Sequence, residues 1–173
     1  MIEPIVQDYV EAAQKLACEA FCRQLSTPVL VTAAPALEQA FQSAPTRMLD
    51  DEIRMVLSGG QGLHHQSKVL DLQPRRPNRL GQVSIGRSED NDLVLADETV
   101  SSHHAIYSPD PRSGRPTVQD QESTNGSFVN GRQLLAYRNA LLSDGDVLAF
   151  GDAAFLFYLP AGLYIALRQL EPA

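Results

Sequence analysis

Between residues 68 and 158 short apolar runs alternate with turn-forming sequence, and this texture restricts the fold more than any other feature of the chain. The runs are Lys68–Leu72, Gln82–Ile85, Leu93–Leu95, His104–Tyr107, Thr117–Gln119, Ser127–Val129, Val147–Phe150 and Ala154–Tyr158. Each is too short for a stable helix and long enough for a strand. Asn130-Gly131 is a tight-turn signal, because both residues tolerate positive φ. Asp144-Gly145-Asp146 reads as a second turn, and Pro109–Pro116 as a polar loop. The pattern predicts an all-β sandwich or barrel over this stretch.

The flanks read differently. Val6, Val10, Ala13, Ala17, Ala20 and Phe21 recur at helical spacing, and the helix they predict stops before Thr27-Pro28. Pro28–Val31 is apolar but of open type. Helices are expected from Pro35 to Phe41 and from Met48 to Leu57. Ser58–Gly62 is the expected boundary. A closing helix is expected from Gly162 to Leu170 after Pro160. The division is therefore a helical segment 1–62, a β domain 63–160 and a C-terminal helix 161–173. The apolar stripes of the terminal helices are read as packing surfaces, against each other or against a sheet.

Bulk properties narrow the function. The chain has 173 residues, 43% of them apolar and 20% charged, which is an ordinary globular balance. A net charge of −7 disfavours nucleic acid and anionic membranes as partners. No apolar run reaches membrane-spanning length, and the first residues lack the features of a secretory leader. Cys18 and Cys22 are the only cysteines, which points to reduced thiols in a cytoplasmic setting. Neither they nor His64-His65 complete a metal site. Asp90, Asp92 and Asp97 lack the glycine and glutamate of a calcium loop, and Asn91-Asp92 reads as a capped turn. No cofactor is expected.

Three loops carry chemistry. They are Ile85-Gly86-Arg87-Ser88, Val100-Ser101-Ser102-His103-His104, and Ser123-Thr124-Asn125-Gly126-Ser127 with Asn130-Gly131 beyond it. Leu142–Leu148 and Phe150-Gly151 follow. Arg87 can present a permanently charged fork of donors to an anion. Ser101, Ser102 and Thr124 add neutral donors, and Asn125 offers both a donor and an acceptor. Ser101 and His104 share one short segment with no acid to orient the histidine, so a hydrolytic triad is not expected. His104 reads as a packed brace.

In order and spacing these motifs resemble the forkhead-associated (FHA) family, over a little more than half of the chain. The resemblance implies an FHA-type β-sandwich, mainly β, with a helical N-terminal extension and a short C-terminal helix. It implies a non-enzymatic module that binds phosphothreonine on a partner protein, a serine/threonine kinase or its substrate. Arg87, Ser101 and Ser102 would face the phosphate, and Thr124 and Asn125 the ligand main chain. Gly86, His104, Gly126, Asn130 and Gly131 would shape the loops. Ser102 departs from the arginine, lysine or asparagine common there in the family, which implies weaker binding. The alternative is a phosphate-independent scaffold, or a secretion-apparatus component, on the same fold.

Overall fold

The computed structural model of the protein describes residues 3–34 and 63–170. The helices expected at Pro35–Phe41 and Met48–Leu57, and the boundary at Ser58–Gly62, lie outside them. The protein is mainly β, with two sheets and helices near its ends. In chain order the elements begin with α1 (Val6–Lys15), α2 (Cys18–Gln24), β1 (Val29–Thr32), β2 (Val69–Asp71), β3 (Val83–Gly86) and β4 (Leu93–Val94). They continue with β5 (Ala105–Pro109), β6 (Pro116–Asp120), β7 (Ser127–Val129), β8 (Arg132–Gln133) and β9 (Asn139–Leu141). The last are β10 (Val147–Phe150), β11 (Ala153–Tyr158) and α3 (Pro160–Gln169).

One sheet runs β2-β1-β11-β10-β7-β8 and the other β4-β3-β5-β6-β9. They share a core of Leu30, Leu148, Phe150, Phe155 and Phe157 against Val83, Ile85, Ala105, Tyr107 and Val118. Tyr107 and Phe157 meet with ring centroids 6.1 Å apart. The six-stranded sheet has a second covered face. Val29, Val31, Val147 and Leu156 point away from the sandwich and pack on Val6, Val10, Ala13, Phe21, Leu163 and Leu167. Alternation of side chains along a strand sends Leu30 one way and its two neighbours the other. Double burial explains why β1, β10 and β11 read as unbroken apolar runs. In β3 the run is broken by polar Ser84, since one face of the five-stranded sheet meets water.

Three findings depart from the sequence expectations. The segment 1–62 is not helical throughout: β1 lies within it, hydrogen-bonded between β2 and β11. An apolar run of this length has no readable period, so only its pairing partners decide its type. The helix expected up to Thr27-Pro28 is also interrupted. Leu16 and Ala17 are extended, at ψ 150° and 154°. The break leaves the Leu16 carbonyl to accept from Tyr164 Oη at 3.2 Å, and Phe21 packs on the Tyr164 ring at 5.5 Å. The terminal helices therefore pack on one another and on the sheet. Two short strands, β8 and β9, were not expected. Their sequences, Arg132-Gln133 and Asn139-Ala-Leu141, are mostly exposed and carry little apolar signal.

Candidate functional site

The loops β3–β4, β4–β5 and β6–β7 gather at one end of the sandwich, and hydrogen bonds lace them together. At the end of β3, Gly86 passes so close to the next loop that a Cβ would collide with the Ser102 carbonyl and lie 2.8 Å from Asn91 Nδ2. Only glycine fits there. This approach lets Arg87 N–H donate to Ser101 O at 2.9 Å and Ser88 N–H to Ser102 O at 3.2 Å. Asn91 is 1% exposed, and its Nδ2 donates to both Ser88 O and Ser102 O. It is a brace between two loops as well as part of a turn.

Arg87 is exposed. Its Nε donates to Val100 O at 3.1 Å, which orients the guanidinium. Among the described residues it has no carboxylate partner. Ser101 Oγ accepts from Thr124 N–H at 3.0 Å and lies 3.4 Å from Thr124 Oγ1, to which it donates. Thr124 keeps its own hydroxyl proton for another acceptor. Ser102 is exposed. Asn125 Nδ2 donates to Thr99 O at 2.7 Å, which leaves its Oδ1 to accept. The structure thus brings Arg87, Ser101 and Thr124 into one contiguous set, with Ser102 and Asn125 on its margins. His103 is turned to Asn91 Oδ1 at 3.3 Å and to Asp90 at 3.6 Å.

His104 is fully buried and joins two loops. Ser101 N–H donates to its Nδ1 at 3.0 Å, so the ring proton sits on Nε2 and donates to Gly126 O at 3.1 Å. Phe150 packs edge-on at 5.5 Å. Both ring nitrogens are engaged by backbone, and neither is offered to a serine hydroxyl. Burial holds the imidazole below its ordinary value of 6.5, against the raising effects of the Gly126 carbonyl and Asp120. The unfolded chain therefore takes up a proton in the window just below pH 6.5, where folded His104 stays neutral. Stability falls as pH drops through that window and flattens below the folded value. Melting temperature should decline from pH 7.5 to pH 5.5, and His104→Gln should flatten the decline. An unchanged pH slope in the variant would show that His104 does not contribute it.

Several shaping residues escape a reading of motifs. Asp120 is 4% exposed and accepts from Ser123 N–H at 3.0 Å and from the Ser123 and Ser127 hydroxyls. Burial pushes its carboxyl up, but these donors more than offset that and hold it below the usual range. Thr99 is tied to Asp97, while its Oγ1 accepts from Asp152 N–H at 2.9 Å. The signals were present as Asp120-x-x-Ser123 and Asp97-x-Thr99, spacings at which aspartate caps a turn. Asn130 lies at φ 49° and Gly131 at φ 78°, forming the β7–β8 hairpin. Asn130 also clamps β7 to β10, exchanging hydrogen bonds with Val147 N–H and Asp146. Gly126, at φ 83°, faces Gln133 Nε2. Asp90, Asp92 and Asp97 are engaged separately, and no group of metal ligands forms among the described residues.

Comparison with known proteins agrees with this arrangement. The FHA domain family model matches residues 83–151. The ABC transporter ATP-binding/permease protein Rv1747 of Mycobacterium tuberculosis is 43% identical over 88 residues, covering 47% of this chain and 10% of the transporter. The glycogen accumulation regulator GarA of Mycolicibacterium smegmatis is 34% identical over 108 residues, 58% of this chain and 65% of GarA. The NMR structure of the FHA-2 domain of Rv1747 matches at 42% identity and a TM-score of 0.39, covering 48% of this chain and 78% of that domain. The chain spans between 10% and 27% of the length of the first curated relatives it matches. No helix among the described residues is long and apolar enough to cross a membrane. With its motifs carried in order on the linked loops of a two-sheet protein, and the family model matched across all three loops, residues 83–151 of the chain are an FHA domain.

Proposed function

We propose that the face carrying Arg87, Ser101, Ser102, Thr124 and Asn125 binds phosphothreonine on a partner protein, a serine/threonine kinase or one of its substrates. The observation that carries the reading is Arg87. It is an exposed guanidinium, oriented by the Val100 carbonyl and free of carboxylates among the described residues, beside the Ser101–Thr124 pair. A phosphate brings about two negative charges and three acceptor oxygens. A fixed cation with neutral hydroxyls matches it without holding every anion. The Asn125 carbonyl, left to accept once Nδ2 is tied to Thr99, suits a main-chain N–H of the ligand. The module binds and does not catalyse, in keeping with His104 being spent on backbone groups. Free Cys18 and Cys22 thiols, 3.8 Å apart, suit a reducing cytoplasm.

Fluorescence anisotropy with phosphothreonine, phosphoserine and unphosphorylated peptides tests this directly. A phosphothreonine library should bind at least about 100-fold tighter than its unphosphorylated counterpart, the work of two or so charge-assisted hydrogen bonds. Affinity should fall as salt rises. Equal binding of all three libraries would shift the function to a phosphate-independent scaffold.

A further inference from the structure

Two bulky residues hold a left-handed backbone, one within the β6–β7 loop and one in the β8–β9 connection bonded to it: Glu122 at φ 58° and Tyr137 at φ 60°. Side chains of this size avoid that region, and where they occupy it the surroundings must enforce it. For Tyr137 they do. Its N–H donates to Asp120 O at 2.9 Å, and its carbonyl accepts from Gln119 Nε2 at 3.1 Å. Its hydroxyl donates to Glu122 Oε2 at 3.2 Å. The arrangement adds nothing to the core, since the Tyr137 side chain is 57% exposed and the neighbouring Leu135 75%. What it does is fix an aromatic face and a carboxylate two residues from Thr124. Beyond this mutual bond neither meets a cation: among the described residues Glu122 has no ion pair, and no cation lies over the Tyr137 ring. Arg138, which follows Tyr137, does not neutralise Glu122.

We infer that Glu122 and Tyr137 form a selectivity surface for a basic residue, lysine or arginine, flanking the phosphothreonine of the ligand. The inference rests on the phosphothreonine reading of the Arg87 face. A cation over a tyrosine ring is attracted by the ring quadrupole, and an adjacent carboxylate adds to that attraction. The long stem of lysine or arginine can lie along exposed Leu135. The two charges of such a ligand then meet opposite charges at separate places, its phosphate at Arg87 and its cation at Glu122. The net charge of −7 also draws cationic segments toward the protein at long range.

The test uses the full chain and a phosphothreonine peptide with alanine at the three positions on either side. Lysine, arginine or aspartate replaces each alanine in turn, and affinities are read by anisotropy. Lysine or arginine at one position should tighten binding about 3- to 10-fold, and aspartate there should weaken it. Glu122→Gln retains an acceptor for the Tyr137 hydroxyl and removes the charge. It should cut the basic preference to within about 2-fold while leaving the alanine peptide unaffected, because only the local charge has changed. Tyr137→Asn, which suits a left-handed backbone, should likewise reduce the preference. Basic and alanine peptides that bind alike at every position, or a preference that survives Glu122→Gln, would overturn the inference alone. Failure of even the alanine phosphopeptide to bind would overturn the phosphothreonine reading, and this one with it.

Discussion

Arg87→Ala should weaken phosphothreonine peptide binding by about 100-fold, near 3 kcal/mol, with little change in stability. The side chain is exposed and its one anchor is the Nε hydrogen bond to Val100 O, so the folded state loses little when it goes. The ligand loses the only permanent cation in the set, and Ser101, Ser102 and Thr124 cannot replace a charge. Ser101 in particular already shares its hydroxyl with Thr124. Arg87→Lys should recover only part of the loss, because an ammonium restores the charge but neither the fork nor the Val100 anchor. The salt dependence offers a second readout. The parent should lose affinity between low and moderate salt, and the alanine variant should lose much less. Titration by anisotropy or calorimetry at two salt concentrations would decide the matter. A variant that binds within about 3-fold of the parent would remove Arg87 from the site, since a charge-assisted guanidinium–phosphate contact is worth more than that.

The site loops were legible because their chemistry is local. Gly86-Arg87, Ser101, Thr124-Asn125-Gly126 and Asn130-Gly131 each carry turn or donor character in adjacent letters, and their order is itself information. The braces were harder to read, because their partners are distant in sequence. Asn91 acts on Ser102, Thr99 on Asn125 and Asp152, and His104 on Gly126, and no period or short motif links those positions. His104 was recognisable as a brace, but its acceptor nitrogen followed only from the Ser101 amide. The same distinction holds for the fold. Strands between clear turns were readable from their boundaries. The helix break at Leu16-Ala17 was not, because neither proline nor glycine marks it and the Tyr164 hydroxyl that takes up the freed Leu16 carbonyl lies far along the chain. The left-handed Tyr137 was equally hidden: nothing in the letters Ala136-Tyr137-Arg138 announces a positive φ.

The largest loss of stability is expected from β1, which the matched family stretch, residues 83–151, does not include. β1 pairs through Val29–Thr32 with β11 on one side and through Val29–Val31 with β2 on the other. Leu30 is fully buried in the core between the sheets, while Val29 and Val31 are fully buried beneath the helices. One strand therefore serves both apolar cores. Leu30→Ala should cost about 2–5 kcal/mol, the usual range for a buried leucine that leaves a cavity, and lower the melting temperature by roughly 5–15 °C. A chain starting at residue 63 should fare worse. It would leave β11 as an open edge and β2 without a strand partner, and expose Val69, Val147, Leu156, Leu163 and Leu167, which α1, α2 and β1 now help to cover. Since a domain holds only about 5–15 kcal/mol in reserve, such a fragment should show no cooperative melt by near-ultraviolet circular dichroism. A fragment that melts cooperatively near the temperature of the full chain would mean that the two sheets hold together without β1. The helical layer would then be an accessory to the recognition loops, and Leu30→Ala should be correspondingly mild. If the fragment fails and Leu30→Ala is costly, the segment before residue 35 is part of the scaffold that holds Arg87 and its neighbouring loops in place.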